Sequence, residues 1–317
     1  MKVFLNHRLL DESKARVSVF DHGFLYGDGV YETVRAYDGR VFRWEEHSRR
    51  LRQSARRIAL RCPWSSAELL QAVRKVLRAN HQPDASVRIT LSRGPGPLGL
   101  DPEQCPRPTL AILLHPYRAL EALWKTGISI GIVRVRRNHP DCLDPQIKSN
   151  NSLNTILAKI EAQRMKVFEG ILTNLDGDLA EGTISNLFYV RKGCLYTPAL
   201  SGGLLEGITR RIILQLARQM KLPVREGRCR PPDLQKAQEI FISSTTLEVM
   251  PVISVAQYKE SRGTAIRRFR VGAGCPGPVA RELHRRLRLQ IARELKLPRP
   301  TSFPPVVGGE SILPSLV

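Results

Sequence analysis

Ile147-Lys148-Ser149-Asn150-Asn151-Ser152-Leu153-Asn154 is followed, 33 positions after its lysine, by Glu181-Gly182-Thr183-Ile184-Ser185-Asn186. A lysine amine condenses with aldehydes, and a buried carboxylate keeps a pyridine nitrogen protonated. Lys148 stands at the end of a Pro/Asp-rich loop, before a run with an apolar face. Burial at such a place favours the neutral, nucleophilic amine. Taken alone, Lys148 reads as one surface lysine among many and Glu181 as a turn glutamate beside Gly182. The polar groups of Thr183, Ser185 and Asn186 tilt the second stretch towards binding.

Around these stretches the chain reads as globular. Its 317 residues are enough for two domains, and 42% hydrophobic with 25% charged residues excludes a disordered chain. No run approaches the roughly 20 apolar residues of a membrane helix. The apolar part of Met1-Lys2-Val3-Phe4-Leu5-Asn6 is too short for a signal peptide, so folded structure is expected from about residue 1, in the cytoplasm. Six scattered cysteines, Cys62, Cys105, Cys142, Cys194, Cys229 and Cys275, form no C-x-x-C pair. They read as reduced thiols, with no metal site. The formal charge of +21 comes from spread pairs such as Arg49-Arg50, Arg136-Arg137 and Arg285-Arg286. With few aromatics and no RNA-binding signature, a solvated arginine-rich surface is favoured over a nucleic-acid partner.

Residues 2–5, 15–20, 30–36 and 87–91 alternate as strands, and Asp38-Gly39 marks a hairpin turn towards Val41-Phe42-Arg43. Leu51, Ala55 and Ile58 fall at helical steps within 45–59, and a helix over 65–79 opens at Ser65 or Ser66 with Glu68 in its first turn. A Gly/Pro-punctuated loop runs from Arg93 to Pro102, followed by a strand over 109–114. Residues 115–126 read as the connection between domains. Beyond it come a strand over 128–135 and a helix over 150–168 whose face carries Leu153, Ile156, Leu157, Ile160 and Phe168. Strands over 170–174 and 187–190 flank an Asn174–Asp178 turn. A helix from Gly207 to Met220, short strands over 239–243 and 252–255, and a helix over 277–295 complete the second half. The Pro/Gly-rich stretch that follows is expected to be a flexible tail.

Five phrases in order carry a family resemblance: Val17-Ser18-Val19-Phe20-Asp21-His22-Gly23, Tyr26-Gly27-Asp28-Gly29-Val30, Leu98-Gly99-Leu100-Asp101-Pro102, Arg136-Arg137-Asn138-His139-Pro140 and Ile147-Lys148-Ser149. Over about residues 3 to 295 the chain resembles class IV, fold-type IV aminotransferases, enzymes that use pyridoxal 5′-phosphate. Its wording is similar to that of bacterial branched-chain aminotransferases. The resemblance implies an α+β fold of two domains, with the cofactor site in the cleft between them. The expected division is a small α+β domain over 1–118, a connection over 119–126, a larger cofactor-binding domain over 127–296 and a tail over 297–317. It also implies a homodimer or higher oligomer, with the glycine loop reaching towards the neighbouring site, and no membrane partner.

On this resemblance Lys148 carries the cofactor and Glu181 faces its ring nitrogen. In His47-Ser48-Arg49-Arg50-Leu51 the family places a phosphate-binding arginine at Arg50, with Arg49 as the competing residue; a planar guanidinium suits a phosphate dianion. Ser185, Asn186 and Leu205 are further cofactor residues. Gly207-Ile208-Thr209 opens a helix, whose free N–H groups and positive dipole end suit a phosphate, and Ser244-Thr245 adds hydroxyls. Simple capping would explain both features and is compatible with phosphate binding. Tyr31 and Arg88 are candidates to meet the substrate carboxylate, Thr246 is a further substrate-binding candidate, and Leu98, Leu100 and Phe24 are candidates to line an apolar pocket.

The implied reaction is amino transfer between an L-amino acid, branched-chain by wording, and 2-oxoglutarate, with ping-pong kinetics. In D-amino-acid aminotransferases the glycine loop carries an arginine and a histidine where Leu98 and Leu100 stand. Thr33 and Ser86 depart from the branched-chain pattern, which usually has Gly and often has Tyr there. A D-amino-acid aminotransferase and an aminodeoxychorismate lyase are the alternatives on the same scaffold.

Overall fold

The computed structural model describes residues 1–116, 120–260 and 263–298. The chain divides into two compact units, Met1–Arg118 with Gln146–Ser152, and Ala119–Pro145 with Leu153–Val317. Lys148 therefore belongs to the first unit, returned to it after the chain has entered the second.

The first unit contains β1 (Lys2–Leu5), β2 (Arg8–Asp11), α1 (His22–Tyr26), β3 (Gly29–Tyr37), β4 (Arg40–Val41), α2 (Trp44–Arg57), α3 (Ser66–Ala79), β5 (Ala85–Ser92) and β6 (Thr109–Pro116). Its six strands form an antiparallel sheet in the order β2-β1-β6-β5-β3-β4. Strand side chains alternate between faces. Val30 and Val34 of β3, Val87, Ile89 and Leu91 of β5, and Leu110, Ile112 and Leu114 of β6 bury one face in a core shared with Leu51 and Ala55 of α2 and Leu69, Val73 and Val76 of α3. The opposite face carries Tyr31 and Thr33, paired with Thr90 and Arg88. Ser65 caps α3 with a full capping box through Glu68, as its spacing predicts.

The second unit contains α4 (Glu121–Thr126), β7 (Ile128–Arg136), α5 (Leu153–Arg164), β8 (Glu169–Thr173), β9 (Leu179–Gly182), β10 (Asn186–Arg191), β11 (Cys194–Pro198), α6 (Ile208–Gln219), β12 (Val224–Gly227), α7 (Pro231–Gln235), β13 (Glu239–Ser244), β14 (Glu248–Tyr258), β15 (Ile266–Arg270) and α8 (Pro278–Leu295). Among the described residues its sheet runs β12-β11-β10-β13-β14-β7-β8-β9, with β15 also paired to β14. No described helix is long and apolar enough to cross a membrane.

Several expectations change. Residues 15–20 form no strand: Val17, Val19 and Phe20 are exposed, and the segment leads into α1. Residues 115–126 are only partly connection, because β6 runs to Pro116 and α4 begins at Glu121. The helix expected over 150–168 spans Leu153–Arg164, and its apolar stripe points the other way from the core. Leu153, Ile156, Leu157 and Ile160 are exposed, while Ala158 and Ala162 are buried. Small residues let α5 lie close to its sheet, so the large ones face out. Strand β9, which carries Glu181, and strands β2, β11, β12 and β15 have no counterpart in the sequence reading. Most of the expected tail, from residue 299, lies outside the described residues.

Candidate active site

The site-bearing part of the first unit is built on the open edge of β3. Strand β4 is two residues long and pairs with Ala36 and Tyr37, so among the described residues the start of β3 has no strand neighbour on that side. The Lys148 segment takes that place. Tyr31 N donates to Lys148 O at 2.9 Å and Asn150 N to Gly29 O at 2.8 Å, either side of a Val30–Ser149 bridge. Lys148 N donates to Ser54 Oγ of α2 at 3.1 Å, and Ile147 packs against the core. Glycine is needed at position 29 for this approach: a Cβ there would come within 2.6 Å of Asn150 Nδ2 and 2.7 Å of Leu91 O.

With its backbone fixed, Lys148 extends its amine to 4.6 Å from the Tyr31 ring centroid. The Arg88 guanidinium lies 3.7 Å from the same centroid, steadied by Thr90 Oγ1 and Asn150 Oδ1 at 3.2 and 3.3 Å. The charge of Lys148, and after it that of Arg88, pulls the Tyr31 phenol below its usual value against the opposing effect of burial. Thus Tyr31, Arg88 and Lys148 are brought together, on the polar face of the sheet.

Arg50 of α2 is held by Glu32 of β3, with Nε to Oε1 at 2.6 Å and Nη2 to Oε2 at 3.0 Å. His47 Nδ1 lies 2.8 Å from Glu32 Oε2. Sequence reading missed Glu32 and gave His47 no role. The available signal was a carboxylate in register with the core residues of β3, opposite an H-x-x-R phrase that puts both partners on one helix face.

Leu98 and Leu100 are 71% and 80% exposed, Phe24 of α1 is exposed too, and two ties hold the glycine loop to α1. Those ties are His22 Nε2 to Pro97 O at 3.0 Å, and Gly99 N donating to the Tyr26 hydroxyl at 3.1 Å. Within a single chain these side chains do not enclose a pocket.

In the second unit Glu181 lies on β9 rather than in a turn. Its Oε1 accepts from Arg137 Nε at 2.7 Å and its Oε2 from Leu205 N at 3.1 Å. Asn186 Nδ2 donates to Leu205 O at 3.1 Å. Asn186 also fills the space beside Gly207, where a Cβ would meet its Oδ1 at 2.0 Å. Gly207 is the N-cap of α6 and supplies no capping side chain, so the first N–H groups of that helix, including those of Ile208 and Thr209, lack a side-chain cap. Asn186 pairs with Ser243 of β13, and the next residue, Ser244, starts the turn to β14. There Ser244 Oγ accepts from Leu247 N at 3.2 Å and lies 3.4 Å from Thr246 Oγ1, with Thr245 between them. Ser185 donates to Glu169 Oε2 at 3.3 Å. The hydroxyl of Ser185 and the amide of Asn186 thus brace neighbouring backbone and carboxylate.

The amino-transferase class IV family model matches residues 29–255, which include Lys148, Arg50 and Glu181. The chain is a class IV aminotransferase. This aminotransferase is 43% identical over 255 residues to a putative branched-chain-amino-acid aminotransferase of Methanocaldococcus jannaschii, covering 80% of this chain and 88% of that protein. It is 32% identical over 294 residues to a D-alanine aminotransferase of Bacillus licheniformis, covering 93% and 98%. Among solved structures, the branched-chain amino acid aminotransferase of Escherichia coli matches with a TM-score of 0.82 at 31% identity, covering 90% of this chain and 92% of that one. The aminotransferase has the two-domain fold-type IV architecture and uses pyridoxal 5′-phosphate.

The residues present fit that cofactor. Glu181 is a buried carboxylate whose direction is fixed by Arg137 and Leu205 N, which suits a protonated ring nitrogen. The start of α6, whose first N–H groups no side chain caps, suits a phosphate.

Proposed function

We propose that this enzyme exchanges the amino group of an L-amino acid with a branched apolar side chain for the keto oxygen of 2-oxoglutarate. The observation that carries this reading is the Lys148 amine, backbone-pinned and aimed at Tyr31 beside Arg88. Pyridoxal 5′-phosphate supplies, when bound, an aldehyde carbon that holds the substrate nitrogen and a ring that takes up the electron pair left at Cα. Lys148 anchors it and gives way to the substrate amine; Nζ then removes the proton from Cα and returns it at C4′ as general base and acid. Glu181 holds the ring nitrogen protonated, with Arg137 and Leu205 N fixing its direction. Arg50, the N–H groups of Ile208 and Thr209, and the Ser244-Thr245 turn bind the phosphate. Tyr31, Arg88 and Thr246 orient the substrate carboxylate. The keto acid leaves before the second substrate enters, which gives ping-pong kinetics.

Similarity to the Methanocaldococcus and Escherichia proteins supports a branched-chain substrate. Leucines at 98 and 100 support an apolar environment rather than an anion trap. Their exposure, with that of the α5 stripe, supports a homodimer, since soluble proteins seldom leave such apolar groups uncovered. Six free thiols support a cytoplasmic enzyme.

The test is the visible spectrum of the purified protein with cofactor, after separate additions of L-leucine, D-alanine and D-glutamate. Conversion to the pyridoxamine form by L-leucine alone is expected. Conversion by the D-amino acids alone would reassign the substrate's handedness, the alternative favoured by similarity to the Bacillus D-alanine aminotransferase. No response to any of the three, with pyruvate released from aminodeoxychorismate, would replace amino transfer by a lyase reaction.

A further inference from the structure

Glu32 occupies the core face of β3, between Val30 and Val34, and all three are fully buried. A charge in that position is costly unless it is paired and hydrogen-bonded. Helix α2 supplies the partners from one face, His47 and Arg50. Glu32 accepts from Arg50 Nε and Nη2 at 2.6 and 3.0 Å, a two-point contact that fixes the plane of the guanidinium. Oε2 also faces His47 Nδ1 at 2.8 Å and accepts from Thr33 N at 3.2 Å. Because Nδ1 faces a carboxylate, it is the nitrogen that carries the hydrogen.

We propose that Glu32 is a positioning residue for the cofactor phosphate, acting through Arg50, with His47 bracing the carboxylate from its other side. This rests on the reading that Arg50 meets the phosphate. An arginine side chain is long and rotamer-rich, and a two-point clamp on Nε and Nη2 holds the whole guanidinium in one orientation. Burial pushes the Glu32 carboxyl up, but Arg50 and then His47 more than offset it and hold the group well below the usual carboxylate range. The clamp is therefore in place throughout the neutral range. Burial holds His47 below its ordinary value, so the imidazole stays neutral and adds no competing charge. A purely structural tie between β3 and α2 would need none of this directionality, since apolar side chains serve that purpose at least as well.

The experiment compares two probes, pyridoxal 5′-phosphate and pyridoxal, titrated into the apo forms of the full chain. Wild type should favour the phosphorylated probe strongly. Glu32→Gln keeps the size of the side chain and should weaken that preference by about 10- to 100-fold, the range seen when a partner orienting a binding group is removed. Its affinity for pyridoxal should stay close to that of wild type, and the ³¹P resonance of the bound cofactor should shift. Arg50→Lys should show the same selective loss, and adding Glu32→Gln to it should cost little more, because both act through one contact. Glu32→Asp keeps the buried charge and supplies the measurement if the glutamine variant does not fold; its shorter reach predicts the same selective loss, smaller in size. Equal weakening of both probes in the Glu32 variants, or no weakening of either, overturns the positioning role. If Arg50→Lys itself leaves the preference unchanged, the phosphate reading of Arg50 fails first. If Arg50→Lys loses the preference and both Glu32 variants keep it, Arg50 stands and only the role of Glu32 falls.

Discussion

Lys148 and Glu181 are held in opposite ways. The lysine is fixed through its backbone, by Ser54 Oγ on its N–H and Tyr31 N on its carbonyl, while its amine rests against an aromatic face. The glutamate is fixed through its side chain, with Arg137 on one oxygen and Leu205 N on the other. The difference matches the two jobs proposed for them. A group that must exchange partners during turnover needs a secure base and a free end. A group that must hold one ring atom in one charge state needs its end secured.

That comparison can be broken by experiment. Lys148→Ala should lower amino transfer by at least about 10⁴-fold, since it removes both the anchor and the proton carrier. Its thermal unfolding should hardly change, because the backbone contacts survive; a large loss of stability would show that the amine itself is structural. Glu181→Gln should do the reverse in stability. It leaves the half-buried Arg137 guanidinium without its counter-charge and should cost about 3 kcal/mol in denaturant unfolding, along with activity. Unchanged unfolding would mean that the carboxylate is not locked as described.

Gly207→Ala should cost about 1–3 kcal/mol, the usual range for overpacking, because the new methyl displaces Asn186 and with it the support of Leu205. Cofactor affinity should fall in the same variant; retained affinity would uncouple the start of α6 from the phosphate. The smallest effect is one of pH on the first unit. Burial holds the folded His47 below its ordinary value of 6.5, so below about that pH the unfolded chain binds a proton that the native one does not. Stability should fall as pH drops through that region. Glu32, also lowered, contributes stability that is complete above its ordinary value of 4.5 and is lost as pH falls further. His47→Asn should flatten the first step and spare the second in a series of unfolding curves. An unaltered first step would assign it to another group.

Much of the proposed site is drawn from the sequence, because its candidate residues come in short phrases. Lys148, Arg50 and the Gly207-Ile208-Thr209 helix start each suggest their proposed chemistry within a few neighbours. What escaped depends on contacts distant along the chain. Glu32 and Arg50 are 18 positions apart, and Arg137 and Glu181 are 44 apart, so no local pattern announces either pair. Periodicity found α5 but not its direction: Leu153, Ile156, Leu157 and Ile160 define a stripe whichever side it faces, and only packing shows that Ala158 and Ala162 turn inward. Alternation in 15–20 suggested a strand, yet Val17 and Val19 have no sheet to join. Strand β9 is four residues long, too short for its alternation to separate it from a turn.

The two-residue length of β4 has a consequence for how the protein is made. The edge it leaves on β3 is filled by Gln146–Ser152, which leaves the ribosome well after the rest of the first unit. During synthesis that unit must wait with an unpaired strand edge until the lysine-bearing segment arrives, and such edges invite wrong partners. A nascent chain stopped at residue 118 should accordingly be more prone to aggregate than one stopped just past 152, so the residue proposed to do the chemistry also sits on the piece that finishes the sheet.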